Sequence, residues 1–217
     1  MIPKLLHFIW VGNDPLPDRS SEYINMFKSI YNDYEVKLWR DSDVIENELI
    51  PNFLNDCYFN NSFPPAFKAD ILRYLILQKY GGLYFDTDFE PLKKLPDCFL
   101  LFDFLGGIQP NEEVAIGFIA SVKNNLLINE TIQNIPSSIE LSKLSGFYNS
   151  LKIHKITGPE FFNPIAIKYK NSSNYFFFTK EYFYPYWFTE ENRKSEVFKK
   201  TSPLAYAVHH WDMSWKS

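Results

Sequence analysis

Residues 81–90 read GGLYFDTDFE, a stretch that places two carboxylates, Asp86 and Asp88, directly after a short apolar run. The preceding segment, PPAFKADILRYLILQKY at 64–80, has prolines at its entry and apolar residues at helical spacing, and Gly81 follows as a stop signal. This pattern predicts a helix that leads into a short strand over Leu83–Phe85. The two aspartates then lie at the carboxyl end of that strand, where open α/β sheets bind their ligands.

Outward from this stretch, the chain alternates between strand and helix signals. An apolar run over 5–11 ends at a Gly-Asn-Asp-Pro turn, a helical pattern covers 20–30, and YEVKLW at 34–39 alternates like a half-buried strand. This strand-helix-strand opening is typical of a parallel α/β sheet. Further strands are predicted at 99–105, 114–120, 175–179 and 206–209, a helix at 139–153, and irregular helical structure at 43–60.

The size and charge of the chain limit its function. With 217 residues the chain can form one core, and its formal charge of −4 argues against nucleic acid as a partner. The apolar run near the N-terminus is too short to span a bilayer and lacks a small-residue cleavage site. We therefore expect a single-domain cytoplasmic protein.

The Asp-x-Asp spacing occurs twice and has a different context each time. Asp41-Ser42-Asp43 stands in a polar stretch and is explained by a solvated turn or the start of a helix. Asp86 and Asp88 follow buried aromatic residues, where uncompensated negative charge is costly. A divalent cation such as Mn²⁺ or Mg²⁺ would compensate it, because hard cations prefer oxygen ligands and often complete their shell with substrate phosphates.

Asp70 and Arg73 lie at i, i+3 on the predicted helix and are neighbours on its surface. They form either a surface ion pair or a charged pair that points into the same crevice as the aspartates. The spacing alone leaves both readings open.

Four segments together resemble the DXD-containing glycosyltransferases of family 32 and the related catalytic domains of the large clostridial glucosylating toxins. They are IPKLLHFIWVG at 2–12, FKADILRYLILQKYGGLYFDTDFEPL at 67–92, TGPEFF at 157–162 and AVHHWDMSW at 207–215. The resemblance implies a GT-A fold, a Rossmann-like mixed sheet flanked by helices. It also implies one catalytic domain over 1–217, with a nucleotide-sugar-binding half over about 1–105. The acceptor-side half and a C-terminal loop for the metal and diphosphate then occupy about 106–217.

The same resemblance implies roles for individual residues. Trp10 is expected to stack on the nucleotide base, and Asp70, Arg73 and Tyr84 to contact the donor sugar. Asp86 and Asp88 are the expected ligands of Mn²⁺ or Mg²⁺, and Asp70, Arg73 and Asp88 the expected catalytic residues. His209 is favoured as a third metal ligand, with His210 left open, and Ser214 and Trp215 match a loop that closes over the diphosphate.

The implied reaction is metal-dependent transfer of a sugar from a nucleotide-sugar donor to a glycan or lipid-linked saccharide, with retention of anomeric configuration. A UDP-sugar is favoured over a GDP-sugar by the resemblance, although the residues themselves do not choose. The family analogy places the enzyme in surface polysaccharide synthesis, in peripheral contact with the inner membrane.

Two other classes of protein share parts of this pattern. Hydrolases of the haloacid dehalogenase type also place Asp-x-Asp after an apolar strand, but here Glu90 replaces their usual Thr or Val and a long helix precedes the motif. A noncatalytic module that binds nucleotide sugars or glycans is the second alternative.

Overall fold

The computed structural model describes residues 1–60, 63–144, 153–187 and 203–212. The strands in chain order are β1 (Leu5–Ile9), β2 (Glu35–Trp39), β3 (Gly82–Phe85), β4 (Phe89–Pro91), β5 (Phe104–Ile108), β6 (Val114–Ser121), β7 (Tyr175–Phe178) and β8 (Ala207–His209). The helices are α1 (Asp18–Ile30), α2 (Asp41–Glu46), α3 (Asn55–Tyr58), α4 (Pro65–Tyr80), α5 (Leu126–Leu144), α6 (Ile153–Ile156) and α7 (Pro159–Ala166).

A mixed six-stranded sheet in the order β2-β1-β3-β6-β5-β7 forms the centre of the fold, and β4 pairs with β8 in a separate two-stranded sheet. β1 runs parallel to both β2 and β3, whereas β6 is antiparallel to β3 and β5. The predicted mixed α/β sheet and its parallel strand-helix-strand opening are therefore confirmed.

Side-chain alternation along the strands separates two hydrophobic cores. Leu6 and Phe8 of β1 face a core that includes Phe27 of α1, whereas Ile9 belongs to the opposite core, which contains the buried face of α4. This alternation is the period-two pattern of a strand that is covered on both faces. Burial on both faces fixes the register of β1 against β3. This register sets where the carboxyl ends of the two strands lie relative to each other.

Gly82 allows β3 to start tightly against β1. Its φ of +103° is in the region that favours glycine, and a Cβ there would lie 2.7 Å from the carbonyl oxygen of Leu5. The close approach lets the chain pass from α4 into β3 within two residues, which positions Asp86 immediately after the strand.

Two sequence predictions need correction. The predicted strand over 99–105 is a 3₁₀ turn over Asp97–Leu101, and strand β5 begins only at Phe104, because Pro96 and Asp97 start a turn. The predicted helix over 139–153 belongs to α5, which begins at Leu126 after Asn125, whose side chain accepts hydrogen bonds from the backbone N–H groups of Leu127 and Ile128. Residues 145–152 lie outside the described part.

In the described ranges, no helix is both long and apolar enough to cross a membrane.

Candidate active site

A cavity of about 490 Å³ opens at the carboxyl ends of β1 and β3. Its volume lies within the usual range for small-molecule sites. Seven of the residues singled out in the sequence line it: Trp10, Asp70, Arg73, Tyr84, Asp86, Asp88 and His209. The structure therefore brings into one cavity residues that come from distant parts of the chain.

Asp86, Asp88 and His209 form a compact group at one side of this cavity, which we call the metal group because it could hold a metal ion. Each offers one ligand atom, and these atoms lie within 4.8 Å of one another. Nε2 of His209 lies 3.0 Å from Oδ1 of Asp88 and 3.8 Å from Oδ2 of Asp86. The pairing of β4 with β8, in which Phe89 is opposite His209, sets these distances.

The donor atoms of this group suit a divalent cation. Two carboxylates and one imidazole supply a set of oxygen and nitrogen ligands that Mn²⁺ accepts. Nδ1 of His209 is buried and has no hydrogen-bond partner among the described residues, so the polar contacts of this ring are directed at the two aspartates. The residues present therefore fit the expected metal, although the ligand roles remain a prediction.

Without a cation, a proton would stabilise the same arrangement. Burial opposes both charges, but the neighbouring carboxylate raises the pKa of His209 and the neighbouring imidazolium lowers the pKa of Asp88. The backbone N–H of Asp212 also donates to Oδ2 of Asp88 at 2.9 Å. A bound cation would replace this proton as the positive partner of Asp88.

Arg73 and Tyr84 hold one oxygen of Asp86. The Tyr84 hydroxyl donates to Oδ1 at 2.5 Å, and Nη1 of Arg73 donates to the same atom at 3.1 Å. Burial raises the pKa of Tyr84 well above its usual value, so the hydroxyl stays protonated as a donor. Oδ2 of Asp86 is thereby left to face His209.

Asp70 is 6% exposed and its two oxygens are both engaged. Oδ1 accepts a hydrogen bond from Nη2 of Arg73 at 2.7 Å, and Oδ2 accepts one from the Thr157 hydroxyl at 3.0 Å. Burial raises the pKa of Asp70 to about 6, against the opposing effect of Arg73. The surface ion pair considered from the sequence is therefore wrong, since Arg73 is 5% exposed.

Trp10 directly follows β1 and is half-buried at the cavity wall. Its indole Nε1 donates to the carbonyl oxygen of Asp14 at 2.8 Å, which fixes the ring against its own turn. A fixed, partly exposed indole at the edge of a cavity can stack on a planar ring. The geometry is therefore compatible with the expected role in base stacking, which stays a prediction.

The structure places His209, and not His210, beside the aspartates. His210 is 1% exposed, and its Nε2 lies 2.8 Å from Oε2 of Glu90, while its Nδ1 lies 2.8 Å from the Tyr186 hydroxyl. Tyr23 stacks on the ring at 5.4 Å between centroids. The His210 side chain thus packs on the face of the β4–β8 pair that is opposite the metal group.

Sequence reasoning missed residues that complete the site. Tyr184 lines the cavity, packs edge-on against His209, and accepts a hydrogen bond from the backbone N–H of Phe118. The ring centroids of Trp211 and His209 lie 4.2 Å apart. Tyr184 stands in an aromatic-rich segment, so nothing in its sequence context separates it from core tyrosines.

Ser214 and Trp215, the expected diphosphate loop, lie outside the described residues.

Comparison with known proteins shows sequence similarity to glycosyltransferases. Residues 17–109 match the family model described as a glycosyltransferase sugar-binding region containing DXD motif. The chain is 29% identical over 182 residues to mannosyl phosphorylinositol ceramide synthase CSH1 of Saccharomyces cerevisiae, covering 80% of this chain and 45% of that protein. It is 37% identical over 147 residues to inositol phosphoceramide mannosyltransferase 3 of Schizosaccharomyces pombe, covering 62% of this chain and 37% of that protein. The chain thus spans less than half the length of these two relatives.

Solved structures share the fold. The PaToxG glycosyltransferase superposes with a TM-score of 0.56 at 21% identity, covering 79% of this chain and 69% of the other. The UDP-bound glycosyltransferase domain of the YGT toxin superposes with a TM-score of 0.62 at 12% identity, covering 81% and 79%. The fold is therefore the GT-A fold. Within this fold, residues 17–109 are similar to the glycosyltransferase sugar-binding region containing DXD motif.

Proposed function

We propose that this protein transfers a hexose from a nucleoside-diphosphate sugar to a hydroxyl group of a saccharide or lipid acceptor. The observation that carries the proposal is the grouping of Asp86, Asp88 and His209 in the same cavity as the buried pair Asp70 and Arg73. Such a cavity can hold the diphosphate and the sugar side by side.

Each part of the cavity has a separate task in this proposal. Trp10 stacks on the nucleotide base, and Asp70 with Arg73 orients the sugar through its hydroxyl groups. Arg73 stays charged, because Asp86 raises its pKa despite burial. A divalent cation held by Asp86, Asp88 and His209 would offset the negative charge that develops on the leaving diphosphate.

We further propose that the anomeric configuration is retained without a covalent intermediate. A two-step route needs a free carboxylate close below the anomeric carbon. Asp70, the carboxylate considered for that role, is engaged at both oxygens by Arg73 and Thr157. Product configuration determined by NMR tests the retention, and inversion would contradict it.

One relative named above is a mannosyltransferase by name and the other a mannosyl phosphorylinositol ceramide synthase, so GDP-mannose belongs beside the UDP-hexoses in a donor screen. The preference for UDP over GDP, the role in surface polysaccharide synthesis, the contact with the inner membrane and the cytoplasmic location all stay predictions. The acceptor screen should include both oligosaccharides and inositol-containing lipids.

Titration calorimetry with UDP- and GDP-sugars, with and without Mn²⁺, tests the proposal. We expect metal-dependent binding of at least one donor and release of its nucleotide when acceptor is added. Absence of binding across the panel would contradict the transferase function. Donor binding without any turnover would favour a noncatalytic module, and efficient cleavage of p-nitrophenyl phosphate would favour a hydrolase.

A further inference from the structure

Thr157 is a buried polar residue that begins the TGPEFF segment at 157–162, to which no role in the site has been assigned. It is 0% exposed and directly follows α6, far along the chain from α4. Its hydroxyl donates to Oδ2 of Asp70 at 3.0 Å. A buried hydroxyl that donates to a carboxylate is one of the stronger neutral-to-charged hydrogen bonds in a protein interior.

α4 holds Thr157 at two points, one helical turn apart. The Tyr74 hydroxyl donates to the carbonyl oxygen of Thr157 at 3.0 Å, and the Tyr74 ring stacks on Phe162 of α7 at 5.6 Å between centroids. The backbone N–H of Thr157 donates in turn to the carbonyl oxygen of Ile153. Both the side chain and the backbone of Thr157 are therefore fixed, and the position of its hydroxyl is determined before any ligand binds.

The two hydrogen bonds to Asp70 fix the plane of its carboxylate. Nη2 of Arg73 holds Oδ1 from the same helix, and Thr157 holds Oδ2 from outside the helix. Arg73 also contacts Asp86 and the carbonyl oxygen of Ile116, so its position is set by other partners. The Thr157 hydroxyl, in contrast, contacts only Asp70 among these partners.

We propose that Thr157 is a positioning residue for the donor sugar, acting through Asp70. The inference rests on the proposed function, since it needs Asp70 to contact the sugar of the donor. Without the hydroxyl, Oδ2 of Asp70 loses its protein partner, and the carboxylate can rotate away from the orientation in which it meets a sugar hydroxyl. The nucleoside diphosphate part of the donor does not depend on this orientation.

The test compares Thr157→Val, which replaces the hydroxyl with a methyl group, with Thr157→Ser, which keeps the hydroxyl. For each variant, calorimetry at saturating Mn²⁺ measures the dissociation constant of the nucleotide sugar and of the matching nucleoside diphosphate. We expect Thr157→Val to weaken binding of the nucleotide sugar about tenfold, the loss of one buried hydrogen bond to a charged group. Binding of the nucleoside diphosphate should change less than about twofold on the same scale.

Thr157→Ser should bind both ligands like the wild type. Equal effects of valine and serine, or an equal loss for both ligands with valine, would overturn the inference. If Thr157→Val does not fold, Thr157→Ala also lacks the hydroxyl and makes the same comparison with Thr157→Ser.

Failure of the proposed function gives a different result. In that case the wild-type protein itself binds no nucleotide sugar. A wild type that binds the sugar donor, with a valine variant that binds it equally well, refutes only the role of Thr157.

Discussion

At the scale of single residues, the site depends on how a few charges are compensated. Asp86, Asp88 and Asp70 bring three carboxylates into one cavity, and Arg73 and His209 are the cationic groups placed against them. The sequence places Asp86 and Asp88 at a strand end and Asp70 on a helix, but it does not show which partners face them. Those partners become visible only when the distant segments are placed.

Asp88→Asn should weaken Mn²⁺ binding more than about a hundredfold, because loss of outer partners of a metal site alone costs about 10- to 100-fold. The melting temperature should stay close to that of the wild type, since asparagine can still accept the hydrogen bond from Asp212. Titration of Mn²⁺ followed by electron paramagnetic resonance measures the affinity. Unchanged binding would show that the acidic pair is not the metal site.

The second Asp-x-Asp provides the matched control. Asp43 lies in the first turn of α2, where its side chain accepts a hydrogen bond from the Arg40 backbone N–H at 2.8 Å and pairs with Lys37 at 3.0 Å. Asp43→Asn should therefore lower the melting temperature while Mn²⁺ affinity stays unchanged.

We expect His7, which does not line the cavity, to make the free energy of unfolding depend on pH. Burial lowers its pKa from 6.5 to about 4, and its neutral ring donates to the carbonyl of Gly81 and accepts from Nε1 of Trp39. The unfolded chain takes up this proton near pH 6.5 and the folded chain only near pH 4, so stability falls as the pH falls between these values. The loss reaches up to about 3 kcal/mol.

Urea unfolding from pH 7.5 to 4.5 measures this loss, with His7→Gln as the comparison. Glutamine keeps a donor and an acceptor but does not titrate, so the variant should lose less stability over the same range. Asp70, whose raised pKa adds stability as the pH falls below about 6, contributes equally to both proteins. Parallel pH profiles would contradict the assignment to His7.

At the scale of elements, α4, β3 and β6 were predictable because local signals agree with the tertiary structure. Prolines, helical spacing and Gly81 define α4, and the apolar runs define both strands. β4 was not predictable, since a three-residue strand after the aspartates has no pattern of its own. The choice between His209 and His210 also needed the structure, because adjacent residues on a strand face opposite sides and only the partner strand decides which side holds the metal group.

Strand β6 forms the floor of the metal group at Gly117. A Cβ at this position would lie 2.8 Å from Oδ2 of Asp86 and 3.3 Å from the Tyr184 hydroxyl. Gly117→Ala should therefore displace the Asp86 side chain and weaken Mn²⁺ binding about tenfold or more, as for other supports of a metal ligand.

Gly106→Ala on neighbouring β5 is the control for this prediction. Its Cβ would meet the Phe104 ring at 3.0 Å and the Phe177 ring at 3.3 Å, away from the metal group. This variant should lose stability and keep its Mn²⁺ affinity. If both alanine variants bind Mn²⁺ like the wild type, Gly117 does not support the metal group.

At the scale of the whole molecule, the metal group joins the large sheet to the small one. Asp86 follows β3 of the large sheet, whereas His209 belongs to β8, which pairs with β4. A cation bound here would tie the two sheets together. The general α/β architecture followed from strand and helix signals, but this junction did not, because it depends on a pairing between distant segments.

Mn²⁺ should therefore stabilise the folded protein, by about 2.7 kcal/mol at a concentration one hundred times its dissociation constant. Hydrogen exchange should show slower exchange at the amides of β4 and β8, and His209→Ala should remove both effects. Stabilisation that persists in His209→Ala would place the ion elsewhere.

The pairing of β4 with β8 also sets a time order for the molecule during its synthesis. A ribosome releases Asp86 and Asp88 well before His209, so a growing chain carries the two acidic groups for some time without their imidazole partner. Until β8 pairs with β4, the growing chain would therefore offer a cation two of these three ligand groups.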